Sequence, residues 1–154
     1  MKPHAFILAL IFATSAYAMD TPKPEPKEPK DPALEQARAA IGKQDWAGAQ
    51  AVLREAVARN PQNADYHNLY AYSIRKGPNP AMDLVFRHYN EALRLNPKHL
   101  GAHEYLGEAY LMTGNVLKAR EHLAQLDKLC SFGCEEYTAL KKDVAAYEQQ
   151  HAKK

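Results

Sequence analysis

Two phrases in this chain nearly repeat each other, LREAVARNP at 53–61 and YNEALRLNP at 89–97. Each opens on an apolar residue, has Ala three positions later, and closes in Asn-Pro. A third phrase, Leu123 to Leu129, keeps the apolar spacing but ends in Cys-Ser. The step from Pro61 to Pro97 is 36 residues, and from Pro97 to the matching Ser131 it is 34. A recurrence of this length with helical spacing inside it is a strong constraint. Each copy is one supersecondary unit that cannot bury its apolar face alone, so neighbouring copies must stack.

The third unit, 100–133, carries the fullest pattern. Leu106-Gly107, Tyr110, Gly114, Ala119 and Leu123 stand at the spacing of a helix–turn–helix. Gly107 and Ala119 are small, so helices can approach closely there, while Tyr110 and Leu123 fill the space between them. Gly114-Asn115 supplies a turn that tolerates positive φ. In this the chain resembles the tetratricopeptide repeat (TPR) family, whose unit is a helical hairpin of about 34 residues. The second unit, 64–99, places His67, Tyr70, Ala71 and Ile74 on its first helix and Val85, Tyr89 and Ala92 on its second. It departs at its turn, where Gly77-Pro78-Asn79-Pro80 holds two extra residues. The first unit, 30–63, matches mainly in Trp46, Ala49, Leu53, Ala56 and Pro61. Asp31 is placed to cap its first helix, with Pro32 at the first helical position.

Beyond the third unit, Tyr137, Leu140, Val144 and Tyr147 recur at helical spacing, with Glu136, Lys141, Lys142 and Gln149 on the other face. That suits a capping helix at about 135–150, which a solenoid needs over its last apolar face. The resemblance implies an all-α, right-handed superhelical solenoid over 33–150, with three helical hairpins and a cap making seven helices.

The first residues are expected to stand apart from this fold. Lys2, the apolar run Ala5 to Ala13, and Ala16-Tyr17-Ala18 read as a cleavable signal peptide over 1–18. The apolar run is shorter than the roughly 20 residues a membrane span needs. No Cys follows the expected cut after Ala18, which argues against a lipid-anchored form. A proline-rich linker follows over 19–32, with prolines at 22, 24, 26, 29 and 32 and charges between them. From Asp20 to Pro32 it has no apolar residue to bury, and it is expected to be an extended polyproline-II tether or a docking peptide. The expected location is the periplasm or the extracellular space.

Stacked hairpins present a concave face, and the resemblance places partner-facing residues at the second, fifth, ninth, twelfth and thirteenth positions of each unit. These are Asp31, Leu34, Arg38, Ile41 and Gly42 in the first unit. In the second they are Asp65, Asn68, Tyr72, Arg75 and Lys76. In the third they are Gly101, Glu104, Glu108, Leu111 and Met112. Asn68 can bond a backbone amide, Tyr72 offers a flat apolar contact, and Arg75 or Arg38 can pair with a carboxylate. Glu104 and Glu108 are acidic where a carboxylate clamp wants cations, so the groove is basic toward one end and acidic toward the other.

Cys130 and Cys134 lie between two helices. In an exported chain an even cysteine count points to a structural disulfide. The three-residue spacer and the lack of a βαβ pattern leave a redox pair less natural, and two cysteines do not complete a zinc site. His99 and His103, one helical turn apart, are a candidate transition-metal pair. The plainer reading, for these and for His67, His88 and His122, is that the repeat sets their places. No HExxH pattern, phosphate loop or GxSxG is present, so no enzyme, cofactor or resident metal is expected. A net charge of +2 with both signs interspersed does not suit a nucleic-acid binder. The sequence therefore points to an exported module that holds another protein or peptide, as envelope relatives do in assembling secretion systems, pili, outer-membrane proteins and cytochromes. A metal- or redox-handling protein built on Cys130, Cys134 and the histidines is the alternative. Self-association through an exposed solenoid end also remains open.

Overall fold

The computed structural model describes residues 30–152. The expected signal peptide and nearly all of the expected linker lie outside them. The described residues form seven helices and no strand: α1 Pro32–Gly42, α2 Trp46–Arg59, α3 Ala64–Lys76, α4 Met82–Leu95, α5 Leu100–Met112, α6 Val116–Leu129 and α7 Glu135–His151.

Short polar residues start these helices where the sequence places them. Asp31 accepts from the amides of Ala33 and Leu34, with Pro32 opening α1. Asp45, Asn63 and Asn115 cap α2, α3 and α6 in the same way. Such caps satisfy amides that have no partner inside the helix. α4 follows Pro80 and has no side-chain cap.

Helices α1–α2, α3–α4 and α5–α6 are antiparallel hairpins, and each packs on the next element in the chain. The cores are shared across that boundary. The first joins Leu34 and Ala37 of α1 to Ala49, Leu53 and Ala56 of α2, and is closed by Tyr66 of α3. The second joins Ala71, Ile74, Val85 and the fully buried Tyr89 to Leu106 and Ala109 of α5. The third sets Ala119 and Leu126 of α6 against Leu140 and Val144 of α7, so α7 covers the last apolar face. Gly107 allows a particular approach: a Cβ there would lie 2.5 Å from Leu140 Cδ2. The sequence marked Gly107 as a close-packing site, and the structure shows the neighbour to be the capping helix.

The turns show where the first repeat departs from the pattern. Gly114 turns α5 into α6 at φ +80°, and Gln44 does the same between α1 and α2 at φ +58°. A side chain pays for that left-handed backbone with strain that glycine avoids. The longer second turn places Asn79 at φ +56°.

A histidine pair joins the two helices of the second hairpin, and another joins those of the third. His67 Nδ1 lies 2.8 Å from His88 Nδ1, and His103 Nδ1 lies 3.0 Å from His122 Nδ1. The Nε2 of His67 meets the Pro61 carbonyl at 3.0 Å, and the Nε2 of His103 meets the Pro97 carbonyl at 3.0 Å. A carbonyl only accepts, so each Nε2 carries the proton and each inner Nδ1 is free to accept from its partner. Burial, with the neighbouring imidazole next, pushes His88 and His122 down to about 4. The candidate His99–His103 metal pair is not what the fold assembles. His99 caps α5 by accepting from Ala102, and its Nε2 donates to Asp65, while His103 turns to His122.

Cys130 and Cys134 stand with Sγ atoms 2.07 Å apart, at disulfide distance. Cys130 ends α6, and Cys134 caps α7 through its sulfur. Phe132 at the tip between them is 103% exposed.

Gly107→Ala gains helix propensity but must displace Leu140. It is expected to destabilise the fold by about 1–2 kcal/mol in urea titration. Gln44→Gly relieves the left-handed strain and is expected to stabilise by about 0.5–1 kcal/mol. Both inner-pair pKa values, about 4, lie below the ordinary 6.5. The neutral pairs therefore contribute fully above pH 6.5, and that contribution fades as the pH falls toward 4. Urea midpoints of the wild type should drop more steeply across that window than those of His88→Gln/His122→Gln.

Candidate functional site

The first helix of each hairpin lies beside the first helix of the next: α1 meets α3, α3 meets α5, and α5 meets α7. This row is the inner face. The helical period brings Asn68, Tyr72 and Arg75 to it from α3, and Glu104, Glu108 and Met112 from α5.

Arg75 is the centre of the face. Its side chain is 4% exposed, and its Nη1 lies 2.6 Å from Glu108 Oε2. Its Nε donates to the Tyr89 hydroxyl at 3.2 Å. The guanidinium carbon sits 5.5 Å from the Tyr72 ring centroid and 5.7 Å from that of Tyr105, within cation–π range. Met112, 54% exposed, lies across it with Sδ 3.8 Å from Nη1. The sequence offered Arg75 to a partner's carboxylate; in the structure Glu108 already occupies that role. Glu108 is thus the counter-ion of a buried charge.

Two buried polar atoms on this face have no partner among the described residues, Arg75 Nη2 and Asn68 Oδ1. Asn68 is 5% exposed and packs at the α3–α5 boundary, where its Nδ2 lies 3.4 Å from the site of a Cβ on Gly101. Orphaned buried groups of this kind are uncommon in a folded chain.

Glu104 is half-buried and makes no ion pair among the described residues. Burial, then Glu108, Glu136 and Glu135, raises its carboxyl to about 7, against the pull of Arg75. Tyr105 beside it is pushed up to about 12 by burial and by Glu104.

Toward the other end, Asp65 accepts from His99 Nε2 at 3.0 Å. That bond holds the Asp65 carboxyl below its ordinary range against the effect of burial, with further help from the charges of His99 and Arg38. Arg38 and Lys76 are exposed at the rim. Leu34, offered to the groove by its position in the repeat, is in the first core instead.

Two parts of the site escaped the sequence. The first is a run of aromatic contacts: Trp46 lies 6.2 Å from Tyr72, and Tyr72 lies 4.7 Å from Tyr105, between ring centroids. Tyr105 is one position off the expected groove residues. The second is a cleft of about 320 Å³ between Arg75, Glu108, Leu111 and Met112 and the α7 residues Asp143, Ala146, Tyr147 and Gln150. The spacing of 143, 147 and 150 was a legible signal that one side of the cap joins the inner face.

The Tetratricopeptide repeat family matches residues 34–81 and 87–133. The TPR domain of Arabidopsis OM64 superposes with TM-score 0.65 at 17% identity, over 75% of this chain and 93% of that one. The Yersinia enterocolitica type III secretion translocator chaperone SycD superposes with TM-score 0.68 at 13% identity, over 78% of this chain and 83% of that one. SycD in complex with a peptide of the translocator YopD gives 0.63 at 14% identity, over 77% and 88%. At these identities the likeness is one of fold. Among curated protein sequences none is similar enough to count as a relative. With two stretches matched across most of the helical region, and solenoids of the same kind superposing on it, this chain belongs to the tetratricopeptide repeat family.

Proposed function

We propose that the chain is a non-enzymatic interaction module, exported to the periplasm or cell envelope, whose inner face holds a segment of a partner protein in an assembly or scaffold role. The observation that carries this reading is the pair of unmatched buried groups on that face, the donor Arg75 Nη2 and the acceptor Asn68 Oδ1. An extended peptide backbone offers both complements, a carbonyl and an N–H. Met112 is the movable cover: its flexible thioether lies over the guanidinium and can yield to an incoming chain. The cleft beside it, bounded by Leu111, Met112, Ala146 and Tyr147, is of a size for one apolar side chain. Tyr72 and Tyr105 extend that contact at low entropic cost, having few rotatable bonds. The likeness to a chaperone that has been crystallised with a peptide supports the reading by analogy. Export rests on the basic, apolar and small-residue leader at 1–18 and accords with the cysteine pair.

Glu104 adds a cost that binding can lift. A carboxyl raised to about 7 disfavours the folded state once it ionises, so its penalty is absent below about pH 4.5 and complete above 7.

The test is to select binders from a displayed random-peptide library and to map the bound peptide by amide chemical shifts. Shifts should cluster at Asn68, Tyr72, Arg75, Glu104 and Glu108. Met112→Lys, at an exposed position, should weaken binding at least about tenfold and leave the fold intact. Glu104→Gln should raise the melting temperature at pH 8 but not at pH 4. Peptides that map to α2, α4 and α6, with Met112→Lys binding unchanged, would remove the inner face as the site.

A further inference from the structure

The capping helix lies beside α5 with Leu140 against Gly107. That register brings like charges together at two levels. About one turn before the Gly107–Leu140 contact stand Glu104 of α5 and Glu136 of α7. About one turn after it, Glu108 and Asp143 share the walls of the cleft beside Arg75. Of these four carboxylates only Glu108 has a counter-ion among the described residues, Arg75 of α3. One turn back along α3 from Arg75 stand Ala71 and Tyr72, which carry no charge. The fold thus provides a cation at one level of the face and none at the level of Glu104.

We infer that the segment held on the inner face carries a Lys or Arg side chain, and that Glu104 is the residue that receives it. This rests on the inner face being the peptide site, as proposed above.

The unmatched buried groups decide the sign of the guest. The Arg75 side chain is 4% exposed and borders the cleft with Glu108 and Asp143, and its Nη2 has no partner among the described residues. A guanidinium N–H needs an acceptor. An anionic guest, such as a chain-terminal carboxylate, would supply one but would add another negative charge beside Glu104, Glu108 and Asp143. A neutral backbone carbonyl on Arg75 Nη2, with a cationic side chain on Glu104, meets both needs without that repulsion. Asn68 Oδ1, also buried and unmatched, is left to accept a backbone N–H of the same segment.

The aromatic rings fit the stem of such a residue. Tyr72 and Tyr105 are both partly exposed, with ring centroids 4.7 Å apart. Lys and Arg lay their alkyl stems along surfaces of this kind while the charged head reaches a polar partner. Both rings already flank a cation: the Arg75 guanidinium carbon lies 5.5 and 5.7 Å from their centroids.

The experiment uses the full chain and a displayed random-peptide library at pH 8, where Glu104 is ionised. Peptides that map to the inner face should carry Lys or Arg at one fixed position relative to their apolar anchor. Changing that residue to Gln in one selected peptide should weaken binding about tenfold. Glu104→Gln should weaken the parent peptide about tenfold as well, while its melting temperature at pH 8 rises, so loss of the fold is not the cause. The two changes together should cost no more than either alone, the mark of a single shared contact. Glu55→Gln, exposed on the outer helix α2, should leave the affinity unchanged. Inner-face peptides with no fixed basic position would overturn the cationic residue and leave the inner face as the site. So would a Glu104→Gln chain that binds the parent peptide as well as the wild type does. Peptides that map only to other surfaces would overturn both readings.

Discussion

A helical hairpin of this length has too little apolar surface to bury on its own, and everything else in the molecule follows from how that shortage is met. Tyr66 of α3 completes the core of the first hairpin, and Leu106 of α5 completes that of the second. Each boundary is thus an obligatory interface. Stability then passes from neighbour to neighbour, as expected of a quasi-one-dimensional fold. After the third hairpin α7 supplies the covering surface through Leu140 and Val144. The approach is close enough that Gly107 has no room for a side chain beyond hydrogen.

The same boundaries build the inner face. Arg75 of α3 reaches across to Glu108 of α5, so the ion pair spans the junction between two repeats. A pair this deeply placed gains little net stability, because both charges lose their water. Its effect is to fix how the inner helices sit against each other. With Tyr72, Tyr89 and Tyr105 around it, the guanidinium becomes a rigid floor with one nitrogen unmatched. Local satisfaction is incomplete at the place where a partner is proposed to lie, as expected of sites that trade stability for function.

Much of the fold was legible because its signals are local. The Asn-Pro phrases, the caps at Asp31 and Asn115, the turn at Gly114 and the periodicity of α7 each act within a few residues. They set the seven helices and their pairing. The groove was legible only in outline. Position in the repeat brought Asn68, Tyr72, Arg75, Glu104, Glu108 and Met112 to one face. It could not show that Arg75 and Glu108 neutralise each other, because that depends on the distance between two helices 33 residues apart in register. For the same reason it misplaced Leu34, which lies in the first core, and it could offer His103 only His99, one turn along the helix, as a candidate metal partner. The partner across the hairpin is His122. Contacts across a helix pair carry no signature in spacing along the chain.

The link between Cys130 and Cys134 acts where the capping helix α7 joins the third hairpin. Terminal elements of such arrays open before the middle, having a neighbour on one side only. Because the covalent tie sits at the start of α7, that helix cannot lift away at its root. Any peeling must begin at the far tip, around Tyr147 and His151, which stack 3.9 Å apart between ring centroids. That tip is also one wall of the cleft beside Arg75, whose lining mixes charged and apolar side chains. Arg120 of α6 holds Glu148 of α7 at 2.7 Å across that tip, so the cleft can widen there only when this ion pair opens.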